Sequence, residues 1–156
     1  MKLKLAEFIS VVLTALVMGV FWGTWFTLTR SLENFSGPEF IHIGKTIISN
    51  VAAPMRILMP ATLLFMAAAA WLSFKINRPS FYWYSLSLLI MIITLVITVG
   101  VEVPIDNQIK TWTAETIPAN WQSLRHTWSQ FHTLRTITSV LSLSSFTVGL
   151  LSRIHK

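Results

Sequence analysis

Residues 81–101 of this chain read FYWYSLSLLIMIITLVITVGV, an apolar run without a charged side chain. A helix rises about 1.5 Å per residue, so about 20 apolar residues are enough to cross the hydrocarbon core of a bilayer. A run of this length and composition is typical of a transmembrane helix. It therefore predicts that the chain is a membrane protein.

Three further apolar runs accompany this one, and the sequence predicts four transmembrane spans at about residues 5–28, 55–75, 81–102 and 136–152. Composition supports this interpretation, because 53% of the residues are hydrophobic and only 12% are charged, with a mean hydropathy of +0.62. Soluble domains usually carry about 25% charged residues. The regular alternation of an outer-membrane barrel does not occur. We therefore expect an all-α integral membrane four-helix bundle, with one domain over residues 1–156.

The distribution of Lys and Arg predicts the orientation of the spans. Three short segments on one side contain the basic residues Lys2, Lys4, Lys75, Arg78, Arg153 and Lys156. The other basic residues lie in or beside two long outer connections, residues 29–54 and 103–135. In membrane proteins, Lys and Arg residues are concentrated in the short connections that lie on the cytoplasmic side. We therefore expect a protein of the bacterial inner membrane with both termini cytoplasmic.

Charge and cysteine content narrow the classes of function. The net charge of +6 suits contact with anionic lipid, so the expected partner is the lipid bilayer, and no arginine-rich run suggests nucleic acid. The chain has no cysteine, which excludes disulfide exchange, thiolate metal ligation and a cysteine nucleophile. No Gly-x-Gly-x-x-Gly fingerprint occurs either, and we expect no cofactor.

Both long connections are expected to contain helices that continue beyond the bilayer. The turn signal at residues 36–38 places a proline in the first turn of a helix. Only Pro54 and Pro60 could interrupt that second helix, so we expect it to be long and kinked. Residues 117–118 likewise open a helix that runs into the fourth span. The third span is expected to break at Pro104, before a short helix or turn at the interface.

Two of the predicted helices carry polar side chains along one face. In the fourth helix, steps of four and three residues place on one face Trp121, Arg125, Trp128, His132 and Arg135. In the second helix, similar steps join His42, Lys45, Ser49, Ala52 and Arg56. Large aromatic rings beside guanidinium groups and an imidazole favour the wall of a polar pocket, with a solvated face as the alternative.

Three ionisable residues are expected at roughly one depth of the membrane. Arg56 and Arg135 each begin an apolar run, and Glu102 ends one. Because an unpaired charge in hydrocarbon costs several kcal/mol, the sequence predicts that Glu102 pairs with Arg135 or Arg56. The alternative is that each arginine extends to the lipid headgroups. The residues predicted to bind a ligand are Trp112, Trp121, Trp128, Arg56, Glu102 and His42.

The same residues carry a family resemblance. The segment Val103-Pro104-Ile105-Asp106-Asn107 precedes a series formed by Trp112, Trp121, Arg125, Trp128, His132 and Arg135-Thr136. Together they resemble the signature of the anthrone oxygenase-like family of small membrane proteins, whose members have a similar length and four predicted spans. Asp106 stands where the family pattern often has asparagine, and Asn107 follows it. Either residue is therefore a candidate for the functional counterpart.

The resemblance implies oxygenation of an activated carbon in a small planar hydrophobic ligand, such as a polyketide anthrone, without a cofactor. His132 would be the base, because the ordinary pKa of imidazole lies near neutrality. Arg125 and Arg135 would stabilise the resulting anion. Asn107 would orient a carbonyl group by hydrogen bonding, and two tryptophans of the fourth helix, Trp121 and Trp128, would supply flat walls.

Two other classes of function stay open. A metal or haem site could use His42, His126, His132 and Glu102. Only one Glu-x-x-His pair occurs, however, at Glu39, and a di-iron bundle needs two, so we predict no metal site. The other alternative is a non-catalytic membrane subunit or lipid-binding scaffold, as an oligomer or within a larger membrane assembly, because patches of small residues could support close helix contacts.

Overall fold

The computed structural model of the protein describes residues 1–154, and its backbone is almost entirely helical. Its α-helices are α1 (Lys2–Thr27), α2 (Gly37–Ser73), α3 (Arg78–Ile97), α4 (Val103–Thr111) and α5 (Trp121–Ile154). A 3₁₀ helix, Thr29–Asn34, follows α1, and a π-helical turn, Thr98–Glu102, joins α3 to α4. The described residues contain no β-strand. The prediction of an all-α bundle is therefore confirmed.

Four helical segments are long and apolar enough to cross a membrane: Lys2–Asn34, Gly37–Ser73, Arg78–Thr111 and Trp121–Arg153. The chain is thus an integral membrane protein with the four spans expected from its sequence. Helix α2 has 37 residues and a length of about 55 Å, which exceeds a hydrocarbon core of about 30 Å. Helix α5 has 34 residues. Both helices therefore continue past the apolar runs that predicted them.

Hydroxyl groups on small side chains connect the packed helices. Helix α3 packs most extensively against α5, and α1 packs against α2. Ser87 Oγ donates to the carbonyl oxygen of Ser142 at 2.6 Å, and Ser142 Oγ donates to that of Ser87 at 2.9 Å. Near the end of α5, Ser80 Oγ donates to the carbonyl oxygen of Gly149 at 2.7 Å. Since lipid tails give no hydrophobic drive between helices, these close polar contacts contribute to bundle cohesion.

The ends of α2 and α5 follow from local sequence signals. At the start of α2 the backbone N–H of Ser36 donates to the Glu39 carboxylate at 2.8 Å, and a proline occupies the first turn. Helix α2 then runs without interruption through Pro54 and Pro60. Helix α5 begins at Trp121, later than the predicted start at residues 117–118, because the chain first makes a turn in which Trp121 N donates to the Pro118 carbonyl oxygen.

The prediction that the third helix breaks at Pro104 is wrong, because the helical backbone continues past this residue. The chain stays helical through Pro104 and ends at Thr111, and Val103 itself has helical angles, with φ −59° and ψ −41°. The irregularity lies just before the proline, in the π-helical turn Thr98–Glu102. A π turn contains one extra residue, so the helix changes its hydrogen-bonding pattern instead of ending. The short helix expected after Pro104 is present as α4.

The bundle has two ends that differ in content. The loop end holds the 3₁₀ helix, α4 and the α4–α5 connection, and the terminal end holds the start of α1 and the α2–α3 connection. A buried cluster at the loop end consists of Leu32, Phe40, Ile41, Ile48, Ile105, Ile109, Trp112 and Trp128. A second cluster, which includes Phe21, Met66, Tyr84, Met91 and Phe146, fills the rest of the bundle. The first cluster fixes α4 and α5 beside α2.

Close packing at Gly149 predicts a stability effect. A Cβ at this position would lie 2.8 Å from the Tyr84 ring and 2.9 Å from Trp83 Cβ, whereas nothing lies within 4 Å at Gly19. We expect Gly149→Ala to lower the free energy of unfolding by about 1–3 kcal/mol through overpacking. Gly19→Ala is the matched control. Thermal unfolding in detergent measures both, and equal midpoints for the two variants would contradict the packing described here.

Candidate functional site

A cavity of about 380 Å³ lies in the half of the bundle nearer the loop end. Apolar residues of α1, α2 and α3 form most of its wall, among them Val20, Phe21, Val51, Met55, Met59 and Leu95. Its charged, amide and indole groups are those of Arg56, Asp106, Asn107, Lys110, Trp128 and Arg135. A cavity of this size with a few polar groups in an apolar wall is typical of a small-molecule site.

A buried ion pair forms part of this wall. The Glu102 carboxylate is fully buried, and its Oε2 lies 2.5 Å from Nη2 of Arg135. The π turn ends at Glu102, while Arg135 comes from the middle of α5. The sequence predicted that Glu102 pairs with either Arg135 or Arg56, and in the structure its partner is Arg135. Arg56 is exposed at the edge of the cavity and makes no ion pair with any described residue.

His132 is enclosed within the bundle beside this pair. It is 1% exposed, and its Nδ1 accepts hydrogen bonds from Nε of Arg135 at 3.2 Å and from Nη2 of Arg135 at 2.8 Å. The other ring nitrogen, Nε2, lies 3.2 Å from the carbonyl oxygen of Phe21. These partners assign the hydrogen to Nε2. Both ring nitrogens are therefore engaged, and His132 is not among the described residues that line the cavity.

Trp128 connects the ion pair to a second carboxylate. Its ring stacks on His132 with centroids 4.7 Å apart and an angle of 12° between the planes. Its indole Nε1 donates to Asp106 Oδ1 at 3.0 Å. Asp106 and Trp128 both line the cavity. A continuous series of contacts thus runs from the Glu102–Arg135 pair through His132 and Trp128 to the Asp106 carboxylate.

The sequence named Asp106 only as one of two candidates for the functional counterpart in the family motif, and it gave this residue no specific role in catalysis or binding. A usable signal was nevertheless present, because Glu102, Asp106 and Lys110 follow one another at steps of four and share a helix face. Asn107, which was predicted, also lines the cavity, and its Oδ1 accepts a hydrogen bond from Lys110 at 3.0 Å. Both members of the Asp106-Asn107 pair therefore lie at the cavity.

Arg125 lies away from the cavity and holds the 3₁₀ helix. It is buried, forms an ion pair with Glu33, and donates through Nη1 to the carbonyl oxygens of Leu32 at 3.0 Å and Phe35 at 3.1 Å. Its guanidinium also stacks on Trp121, 4.9 Å from the ring centroid. Since it is not among the described cavity residues, its place fits a role in anchoring the loop end instead of the predicted contact with a substrate anion.

The other predicted binding residues lie in the packed loop end or on its surface. Trp121 packs against Phe40 with centroids 5.9 Å apart. Trp112 is buried, and its carbonyl oxygen accepts a hydrogen bond from Lys45 Nζ at 2.7 Å. His42 is exposed. In the described part of the chain these three positions are outside the cavity lining, whereas the predicted residues Arg56, Asn107, Trp128 and Arg135 are in it.

The residues considered for a metal site are not gathered into one cluster. Glu102 Oε2 and His132 Nδ1 lie 3.7 Å apart, but His42 and His126 are exposed. Glu39 is used at the start of α2, where its carboxylate accepts from Ser36. Across residues 1–154, no three His, Cys, Asp or Glu side chains form a group that could hold a metal ion.

Four spans around a ligand-sized cavity with an ion pair in its wall define a polytopic membrane protein with an internal, mainly apolar cavity. Residues 49–145 match the family model described as Anthrone oxygenase. The matched segment covers more than half of the chain, so the protein belongs to this family, and the resemblance noted in the sequence is confirmed. The match includes Glu102, Asp106, Trp128, His132 and Arg135. No curated protein and no solved structure matches the chain.

The buried ion pair predicts a strong coupling between Glu102 and Arg135. Glu102→Gln leaves Arg135 without its counter-charge, and Arg135→Met leaves Glu102 buried and unpaired. Breaking a buried pair from one side costs about 3–5 kcal/mol. We expect each single variant to lose about this much stability and the double variant to lose less than the sum of the two. Denaturant unfolding in detergent measures the cycle, and additive losses would show that the two side chains do not interact.

Proposed function

We propose that the protein catalyses oxidation of a planar hydrophobic substrate by dioxygen, in the manner of an anthrone oxygenase and without a cofactor. The observation that carries this proposal is the Asp106 carboxylate in the wall of an otherwise mainly apolar cavity, held there by Trp128 at 3.0 Å. Membership of the Anthrone oxygenase family supports the same reaction class. The substrate is a ring system with a CH₂ group made acidic by conjugation with a carbonyl.

Asp106 is the base that starts the reaction. Trp128 donates a hydrogen bond to Oδ1 of Asp106, whereas no described residue donates one to Oδ2. The Oδ2 atom is therefore free to accept a proton from the substrate. Removing that proton from the CH₂ group leaves an electron pair that delocalises onto the substrate carbonyl oxygen as an enolate. His132, predicted from sequence as the base, has both ring nitrogens engaged and instead positions Arg135.

The enolate then reacts with dioxygen. Two electrons of the carbanion form a C–O bond, and protonation of the distal oxygen by Asp106 gives a hydroperoxide. Loss of the second C–H proton, with cleavage of the O–O bond, forms the new carbonyl and releases hydroxide, which becomes water with that proton. In total, a CH₂ group and one O₂ give a C=O group and one H₂O. The carbon loses four electrons and dioxygen gains them, so no further reductant is required.

The positive charge of Arg135 supports the anionic intermediate. Its guanidinium lies in the cavity wall and is fixed by Glu102 on one side and His132 on the other. A donor that is already oriented stabilises developing negative charge without reorganisation. Asn107 lies in the same wall and supplies an amide that can bind a substrate carbonyl. The flat Trp128 ring, fixed by its stack on His132, matches a planar substrate.

Asp106→Asn tests the base. The amide keeps an oxygen that can accept the Trp128 hydrogen bond but cannot take a proton from the substrate. We expect oxygen uptake with an anthrone in detergent or vesicles to fall by about 10²–10⁴-fold, the range for loss of a general base. His42→Ala is the control, because His42 is exposed and is not among the described residues at the cavity.

His132→Ala distinguishes the two candidate bases. If His132 only positions Arg135, the variant retains part of its activity and shows the same dependence of rate on pH as the wild type, because Asp106 still removes the proton. Full activity in Asp106→Asn together with complete loss of activity in His132→Ala would show that His132, and not Asp106, is the base. If wild-type protein gives no oxygen uptake with any planar substrate, the non-catalytic scaffold becomes the better description.

A further inference from the structure

The mouth of the cavity lies between α2 and the α3–α4 segment. Some cavity residues are exposed to the exterior, and these come from that side of the bundle: Arg56, Pro60, Val99, Val103, Asn107 and Lys110. Val99 is 58% exposed and Val103 is 39% exposed. On the opposite wall, Phe21 and Trp128 are buried. The cavity therefore opens through the side of the bundle, and at Val99 and Pro60 this opening lies within the spanning segments.

Arg56 stands in this mouth without a partner from the described chain. Three other arginines are each paired with an acid: Arg125 with Glu33, Arg135 with Glu102 and Arg153 with Glu7. The remaining carboxylates of the chain belong to Glu39, which binds Ser36, to Glu115 in the α4–α5 connection, and to Asp106. An unpaired charge within a spanning helix is costly and marks a functional position. Since no described carboxylate forms an ion pair with Arg56, its guanidinium is available to an anion from outside the chain.

Pro60 adds a second polar group at the same place. Proline has no backbone N–H, so the carbonyl oxygen of Arg56, four residues earlier, lacks its usual helical donor. The mouth thus offers a guanidinium that binds an anionic oxygen and a carbonyl that accepts from a hydroxyl. Both lie beside the apolar surfaces of Val99 and Val103. A flat ring system that carries ionised and neutral hydroxyl groups complements this arrangement.

We propose that Arg56 binds the ionised hydroxyl of a planar weak acid that enters the cavity sideways from the bilayer. The proposal deepens the proposed function, and rests on it, by taking this ligand as the substrate: a membrane-soluble phenol in its anionic form, which keeps the CH₂ group that Asp106 deprotonates. Arg56 is then the specificity-determining residue at the entrance, and Asp106 acts farther inside. A phospholipid is a poorer occupant, because two acyl chains exceed a cavity of about 380 Å³.

Binding of alizarin tests this site directly. Alizarin is a planar three-ring phenol that changes colour when it loses a proton, and it has no CH₂ group for the proposed reaction to oxidise. The protein is placed in vesicles of zwitterionic phosphatidylcholine, and the absorbance of bound alizarin is followed as the pH is changed. We expect wild-type protein to bind the phenolate at least about tenfold more tightly than the neutral phenol, as expected for a charge close to an arginine.

Two variants separate Arg56 from charge in general. Arg56→Gln should remove the preference for the phenolate while the neutral phenol still binds, and Arg56→Lys should restore part of it. Arg30→Gln is the matched control, because Arg30 lies near the same end, over the rings of Trp25 and Phe26 at 5.8 and 5.6 Å, and is not among the described cavity residues. An unchanged preference in Arg56→Gln, or an equal loss in Arg30→Gln, would overturn the proposal.

Anionic lipid distinguishes a substrate site from a headgroup site. If vesicles that contain phosphatidylglycerol displace alizarin from wild-type protein but not from Arg56→Gln, Arg56 binds a lipid phosphate and the proposal is wrong. If alizarin binding is unaffected by this lipid, the planar acid is the preferred occupant.

Oxygen uptake with an anthrone is measured on the same preparations. Selective alizarin binding without oxygen uptake overturns only the oxygenase function, and oxygen uptake that is unaltered in Arg56→Gln overturns only the entrance site.

Discussion

An ionised group inside a bilayer is costly unless it has a partner, and the pair between Glu102 and Arg135 offsets this cost for both side chains beside the cavity. The contacts that define the site depend on it. Arg135, once held by Glu102, donates to His132, and the ring of His132 supports Trp128 by stacking. Trp128 in turn binds Asp106. A side chain at the cavity is therefore positioned by a charge pair three contacts away, which explains why so polar a cluster is stable within an apolar bundle.

Helix α5 organises the bundle through three arginines at different depths. Arg125 holds the 3₁₀ helix through Glu33, Arg135 holds the π turn through Glu102, and Arg153 holds α1 through Glu7. At the terminal end Tyr84 joins this scheme, since its hydroxyl donates to Glu7 at 2.7 Å. Each arginine pairs with an acid from a different segment, so α5 is fixed in height and in rotation relative to its neighbours.

The sequence predicted the spans, the long α2 and α5, and the shared face of the α5 residues, because length, hydropathy and helical spacing are local properties. It did not predict that residues on that face have different structural roles. Arg125 and Arg135 look equivalent in sequence, yet one anchors the 3₁₀ helix and the other lies at the cavity. That difference depends on the positions of their partners Glu33 and Glu102, which belong to other segments of the chain. The contact that places Asp106 at the cavity was not predicted for the same reason, since its partner Trp128 is distant in sequence.

The π turn at Thr98–Glu102 has a consequence for how such sites change in evolution. It places one surplus residue in a helix that would otherwise be regular, and an α-helix turns by about 100° per residue. Losing that residue would rotate all of α4 by about this angle and would carry Asp106 away from Trp128. Deletion of one residue could therefore dismantle the site while every span stays intact. Chains with nearly the same hydropathy profile can therefore differ in whether they keep the contact between Asp106 and Trp128.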